Sequence, residues 1–146
     1  MTFVRVLLAC AAGLVVGVEA GQETRAARSV WDGVYTEAQA RRGREVYARS
    51  CGGCHAEDLR GKGTAPSLVE ESFMFLWEDM TLGELFERTR TLMPSDRPGS
   101  LPVQDYADVI AFMLEKNGMP SGPRELDARP EDLKAIRITA RSSRSK

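Results

Sequence analysis

The sequence predicts an all-α domain, with three to four main helices gathered around a prosthetic group held by one short motif. Three observations carry that expectation. Apolar residues recur at helical spacing in segments that open near Thr36, Thr81 and Pro102. No stretch of the chain suggests a sheet. The single histidine and two of the three cysteines fall within Cys51-Gly52-Gly53-Cys54-His55.

That motif sets the chemistry. C-x-x-C-H is the attachment signature of a c-type haem. Two thiols separated by two residues can both reach the porphyrin vinyl groups from one turn of chain, and the adjacent imidazole can then reach the iron. Cys51 and Cys54 are therefore the expected thioether residues and His55 the expected first axial ligand. A structural zinc site normally needs four Cys or His ligands, and only three are present. A thioredoxin-type C-x-x-C expects a βαβ setting that does not occur here. A plain disulfide would leave the histidine without a purpose.

The chain opens with a segment carrying only Arg5, followed by an apolar run from Val6 to Val18. A bilayer span takes ~20 apolar residues, so the run suits a signal-peptide core, with cleavage expected after Ala20 at Val18-Glu19-Ala20. An uncleaved anchor, or lipidation at Cys10, are the alternatives; a membrane partner is expected only under one of them. The expected organisation is a leader over 1–20, an N-terminal arm over 21–35, the haem domain over 36–118, and a C-terminal extension over 119–146, partly disordered from Ser142 onward. Export and haem attachment together place the protein in the periplasm. Lys plus Arg number 20 against 21 Asp plus Glu, giving a net charge near −1. Nothing in that balance asks for a nucleic-acid partner or an anionic surface. Only four of the cations are lysines, so no lysine-rich docking face is evident.

Each element has a local reason. Trp31 and Tyr35 precede the first helix and are expected to pack over the surface. Thr36-x-x-Gln39 reads as a capping box opening a helix to about Ser50, with Ala40, Gly43, Val46 and Tyr47 inward. Gly43 costs about 1 kcal/mol against alanine in mid-helix, which calls for close approach of another backbone. Arg41, Arg42, Arg44 and Arg49 fall on the remaining, solvated faces. Ala56 to Pro66 is a loop, and Phe73 to Trp77 a short helix or turn covering the haem. Thr81-x-x-Glu84 is a second capping box, followed by Leu82, Leu85, Phe86 and Thr89 on one face. From Pro102, Tyr106, Val109, Ile110, Met113 and Leu114 form an apolar stripe that Asn117-Gly118 stops. A short surface helix is expected from Pro130 through Leu133 and Ile136.

The second axial position decides the function. No second histidine exists. Met113 and Met74 read as core, and Met119 lies beyond the last helix. Met93 sits between two helices, its backbone restricted by Pro94 to extended geometry, on a stretch that can approach the iron. Met93 is the preferred ligand, Met80 the fallback, and an open site the third possibility.

Across about Gln39 to Gly118 the pattern resembles class I cytochromes c. Gly43 and Tyr47 are similar to the family's helix-crossing glycine and aromatic, near Phe112. Pro66 resembles the proline whose carbonyl holds the other nitrogen of the axial histidine. Leu68 resembles the apolar residue behind the haem, and Met93-Pro94 the ligand loop. The resemblance implies the class I cytochrome c fold, its helices wrapped around one covalently attached haem c. More narrowly, residues 31–36, 81–88 and 106–112 resemble small periplasmic cytochromes associated with quinoprotein alcohol dehydrogenases. Glu70 departs from the glycine many relatives carry, and Pro102-Val103 from a capping Ser or Thr with an acidic residue.

The function so implied is that of an outer-sphere electron carrier rather than an enzyme. It would pass single electrons from a periplasmic dehydrogenase donor to an oxidase or another cytochrome as acceptor. The alternative is a haem protein with a labile sixth site, a gas sensor or weak peroxidase. A cytochrome subunit held permanently on a dehydrogenase would keep the same redox step. Trp77, Arg60 and Arg90 are candidates to face the haem carboxylates.

Overall fold

The computed structural model describes residues 28–141. The expected leader with its cleavage site, Cys10, the first part of the N-terminal arm and residues 142–146 lie outside those residues. In chain order the elements are β1 (Arg28–Ser29), α1 (Glu37–Ser50), α2 (Gly52–His55), α3 (Glu70–Trp77), α4 (Leu82–Leu92), α5 (Val103–Lys116), α6 (Pro130–Lys134) and β2 (Ile136–Arg137). Among the described residues, no helix is long and apolar enough to cross a membrane.

α1 and α5 make the most extensive helix–helix contact. Gly43 is its centre: a Cβ there would run into the Asp108 carbonyl of α5 and press on the Phe112 side chain. Tyr47 and Phe112 extend the crossing, with ring centroids 5.4 Å apart. Arg42 is exposed, as expected of a solvated face, and from there grips α5 through Asp108 at 2.8 Å and reaches Glu125 at 2.9 Å. The Asp108 side chain is buried, and a buried carboxylate requires such a partner.

The two expected capping boxes differ. Thr81 accepts from the Glu84 N–H at 3.2 Å, and the Glu84 carboxylate accepts from the Thr81 N–H at 2.8 Å, closing the box at the start of α4. Thr36 accepts from the Gln39 N–H at 3.1 Å, but Gln39 does not reply. Its buried amide instead donates to the Leu126 carbonyl at 2.9 Å and accepts from the Leu126 N–H at 2.6 Å. Two backbone groups of an otherwise apolar neighbourhood outcompete a cap that water can satisfy.

The chain ends depart most from expectation. β1 and β2 pair in parallel, Arg28 opposite Ile136 and Ser29 opposite Arg137, where no sheet was foreseen. The residues expected as an arm up to Tyr35 are integral: Val30, Val34 and Tyr35 are buried, and the Tyr35 hydroxyl donates to the Met119 carbonyl at 2.7 Å. Burial, with Glu115 and Glu37 nearby, pushes that phenol up to about 12. The surface helix expected through Ile136 stops at Lys134, because Ile136 turns into the strand pair. Leu126, Leu133, Ile136 and Ile138 are all core residues. Ile138 also donates its N–H to the Met80 carbonyl at 2.8 Å and accepts from the Asp79 N–H at 2.8 Å. The C-terminal segment is thus a strap that fastens the α3–α4 junction.

Candidate functional site

The C-x-x-C-H motif folds as the single turn α2, immediately after α1. Cys51 closes α1 by donating its N–H to the Tyr47 carbonyl at 2.8 Å. Helix then resumes at Gly52, so both thiols and the imidazole leave one compact turn. Cys51 is half-buried and Cys54 exposed. Burial, and secondarily the neighbouring Cys54, push the Cys51 thiol up to about 11, so it is protonated at neutral pH. No cluster of three or more His, Cys, Asp or Glu side chains among the described residues has the arrangement of a metal-ion site.

His55 is buried, at 7 % exposure. Its Nδ1 lies 3.0 Å from the Pro66 carbonyl oxygen. A carbonyl only accepts, so the proton belongs on Nδ1, and Nε2 keeps its lone pair for a metal. The loop between the two residues is built to make this contact. Gly61, at φ +82, donates to the His55 carbonyl at 2.9 Å, and a Cβ there would strike the Ala65 carbonyl. Tyr47 locks the other side, donating its hydroxyl to the Ala56 carbonyl at 2.7 Å.

Met93 ends α4 with extended backbone, φ −124 and ψ 152, the geometry that a following proline imposes. The Met93–Pro94 peptide is cis. The Met93 N–H donates to the Thr89 carbonyl at 2.9 Å, and its own carbonyl accepts from the Tyr106 hydroxyl at 2.9 Å and from the Gly99 N–H at 3.3 Å. Tyr106 was legible only as one residue of an apolar stripe. Its second role, pinning the Met93 loop from α5, has no local sequence signal.

Cys51, Cys54, His55, Pro66, Leu68 and Met93 converge on one cavity of about 610 Å³. That volume lies within the ~300–1,000 Å³ of cofactor sites. Three methionines stand on its wall. Met80 and Met113 pack against the hydrophobic core, and Met93 does not. The residues present therefore fit a haem: paired thiols on one turn, an imidazole with Nε2 available, and an uncommitted thioether. Trp77 also lines the cavity, but of the cations it is Lys62 and Arg88 that do so. Arg60 pairs with Glu70 at 2.8 Å and Arg90 with Glu87 at 3.0 Å, and neither arginine lines the cavity.

The departure at Glu70 has a physical reading. Its φ is +61, the left-handed region in which glycine is at ease. Here the N–H is held by the Asn117 side-chain oxygen at 2.8 Å, while the Asn117 amide donates to the Leu68 and Met113 carbonyls. Asn117, read from sequence as a helix stop, thus ties the Leu68 segment to α5. The Arg60 guanidinium holds the Glu70 carboxyl below its ordinary range.

Comparison with protein families matches residues 38–113, just over half of the chain, to the family described as cytochrome c oxidase, cbb3-type, subunit III. Among solved structures, the fold is similar to the sulfane dehydrogenase SoxCD from Paracoccus pantotrophus. The TM-score is 0.51 at 22 % identity, covering 86 % of this chain and 68 % of that one. No curated protein matches the sequence.

Proposed function

The chain belongs to the family of cytochrome c oxidase, cbb3-type, subunit III, and from that membership we propose a periplasmic monohaem carrier that moves single electrons from a dehydrogenase to a respiratory acceptor. As an all-α class I c-type cytochrome it carries covalently bound haem c, and electron transfer is the role that membership supports.

Cys51 and Cys54 would hold the haem through thioethers, and His55 and Met93 would be the donors to its iron. The haem contributes a one-electron iron couple, and His/Met ligation favours the ferrous state and so a raised potential. The Pro66 carbonyl fixes the tautomer and direction of His55. Leu68 and Trp77 keep water from the cavity wall, and the hydrogen bonds at Met93 hold its backbone in one place. The carrying observation is that Met93 alone of the three cavity methionines is free of core packing. With His55 and Met93 both donating to the iron, little rearrangement would accompany a change of oxidation state, and substrate chemistry at the iron would be disfavoured.

A second reading keeps the same redox step in a permanent enzyme subunit. The family is described as an oxidase subunit. The structural neighbour bears a dehydrogenase's name. Potentiometric titration of the haem-loaded protein tests the carrier role: a single reversible one-electron wave without turnover of peroxide supports it. Peroxide consumption at the rate of a peroxidase overturns it. Purification in stable complex with an enzyme selects the subunit reading.

A further inference from the structure

α3 presents an apolar side chain to solvent that nothing in the haem site explains. Phe75 is 90 % exposed, and it does not line the haem cavity, so filling that cavity leaves it uncovered. Its neighbour Leu76 is 45 % exposed, and Leu92 at the end of α4 is 49 % exposed; both stand on the cavity wall. These make up three of the four large apolar side chains exposed among the described residues. Glu71 lies one turn before Phe75 on the same face, and Glu78, which ends the helix, one turn after. Both are exposed, and neither is ion-paired among the described residues.

We propose that the exposed face of α3, with Phe75 as its apolar anchor between Glu71 and Glu78, docks a redox protein whose own cofactor edge is ringed by lysine or arginine. This rests on the carrier reading and names the chemistry of the partner. An aromatic side chain supplies large contact area at low entropic cost. Unpaired carboxylates on either side steer a cationic surface and raise the encounter rate. A second copy of this chain is the wrong occupant, since pairing the same face would set Glu71 and Glu78 against like charges. An anionic membrane surface is repelled by the same two groups. The position of Leu76, next to Phe75 and on the cavity wall, puts a partner docked there beside the haem.

Zinc-substituted mitochondrial cytochrome c, whose cofactor edge is ringed by lysines, serves as the cationic probe. Its photoexcited porphyrin gives up one electron, which the oxidised haem-loaded protein takes, and the decay yields a second-order rate. The expected rate falls as salt rises. Phe75→Ser lowers it by about tenfold. The double variant Glu71→Lys/Glu78→Lys lowers it further and inverts the salt dependence. Reduction by ascorbate stays unchanged in both variants, and so does the melting temperature, because the three side chains are exposed. Wild-type rates in both variants, with normal reduction by ascorbate, overturn the docking face and leave the carrier reading standing. Failure of the unmutated protein to exchange electrons with either reagent overturns the carrier reading, and the docking face with it. A concentration-dependent dimer that Phe75→Ser dissolves assigns the face to self-association and also overturns the proposal.

Discussion

Tyr106 holds Met93 in place from the opposite helix, and this is the site's most informative single contact. The hydroxyl donates to the Met93 carbonyl at 2.9 Å and accepts from the Leu101 N–H at 3.3 Å. Tyr106→Phe keeps the ring's packing and removes both bonds. It is expected to lower stability by about 1 kcal/mol, read by denaturant unfolding of the haem-loaded protein. The residues proposed to hold the cofactor are legible because their chemistry is local: two thiols and an imidazole within five positions, and a methionine before a proline. Tyr106, Asn117 and Gln39 were legible only as a core position, a helix stop and a cap. Their partners Met93, Leu68 and Leu126 are distant in the chain, and hydrophobic periodicity records that a side chain is inward without recording what its polar end meets.

At the scale of elements, the α1–α5 crossing turns on Gly43. In an isolated helix Gly43→Ala would gain about 1 kcal/mol. In this protein the added Cβ would overlap the Asp108 carbonyl, so the helices must part. A net loss of about 3 kcal/mol is expected, measured by thermal or denaturant unfolding. The α4 capping box makes a prediction in pH. The Thr81 N–H first, and its hydroxyl second, hold the Glu84 carboxyl below its ordinary value. A lowered folded-state value contributes stability above the unfolded-state value, and loses it as pH falls through the folded one. The stability difference between wild type and Glu84→Gln should therefore be full at neutral pH and vanish in strongly acid solution. Equal differences at both pH values would contradict the box. Both features were readable in sequence, one as a costly mid-helix glycine and the other as a Thr-x-x-Glu spacing. The strap was not. Its strands are two residues each, too short for an alternating pattern, and its hydrogen bonds to Asp79 and Met80 are set by tertiary packing.

At the scale of the whole molecule, helices and loops between Tyr47 and Met113 line one cavity of about 610 Å³. The haem completes the core, so its removal should be felt by the entire fold. A Cys51→Ser/Cys54→Ser protein, unable to form thioethers, is expected to melt at least 10 °C below the haem-loaded protein, since ligand linkage of about 3 kcal/mol moves a domain of this size that far. Calorimetry checks this. The expected domain limits illustrate what composition hides: Val30, Val34, Leu133 and Ile138 lie in charged or proline-broken stretches, yet all four belong to the same core.

As proposed ligands, His55 and Met93 together would close the iron to exogenous molecules, as a carrier requires. Carbon monoxide added to the reduced, haem-loaded protein at neutral pH tests it directly. The absorption spectrum should not change, and Met93→Ala should bind the gas at once while Met80→Ala remains indifferent to it. Immediate and complete binding by the unmutated protein would contradict the ligand assignment and bring the sensor or peroxidase reading forward.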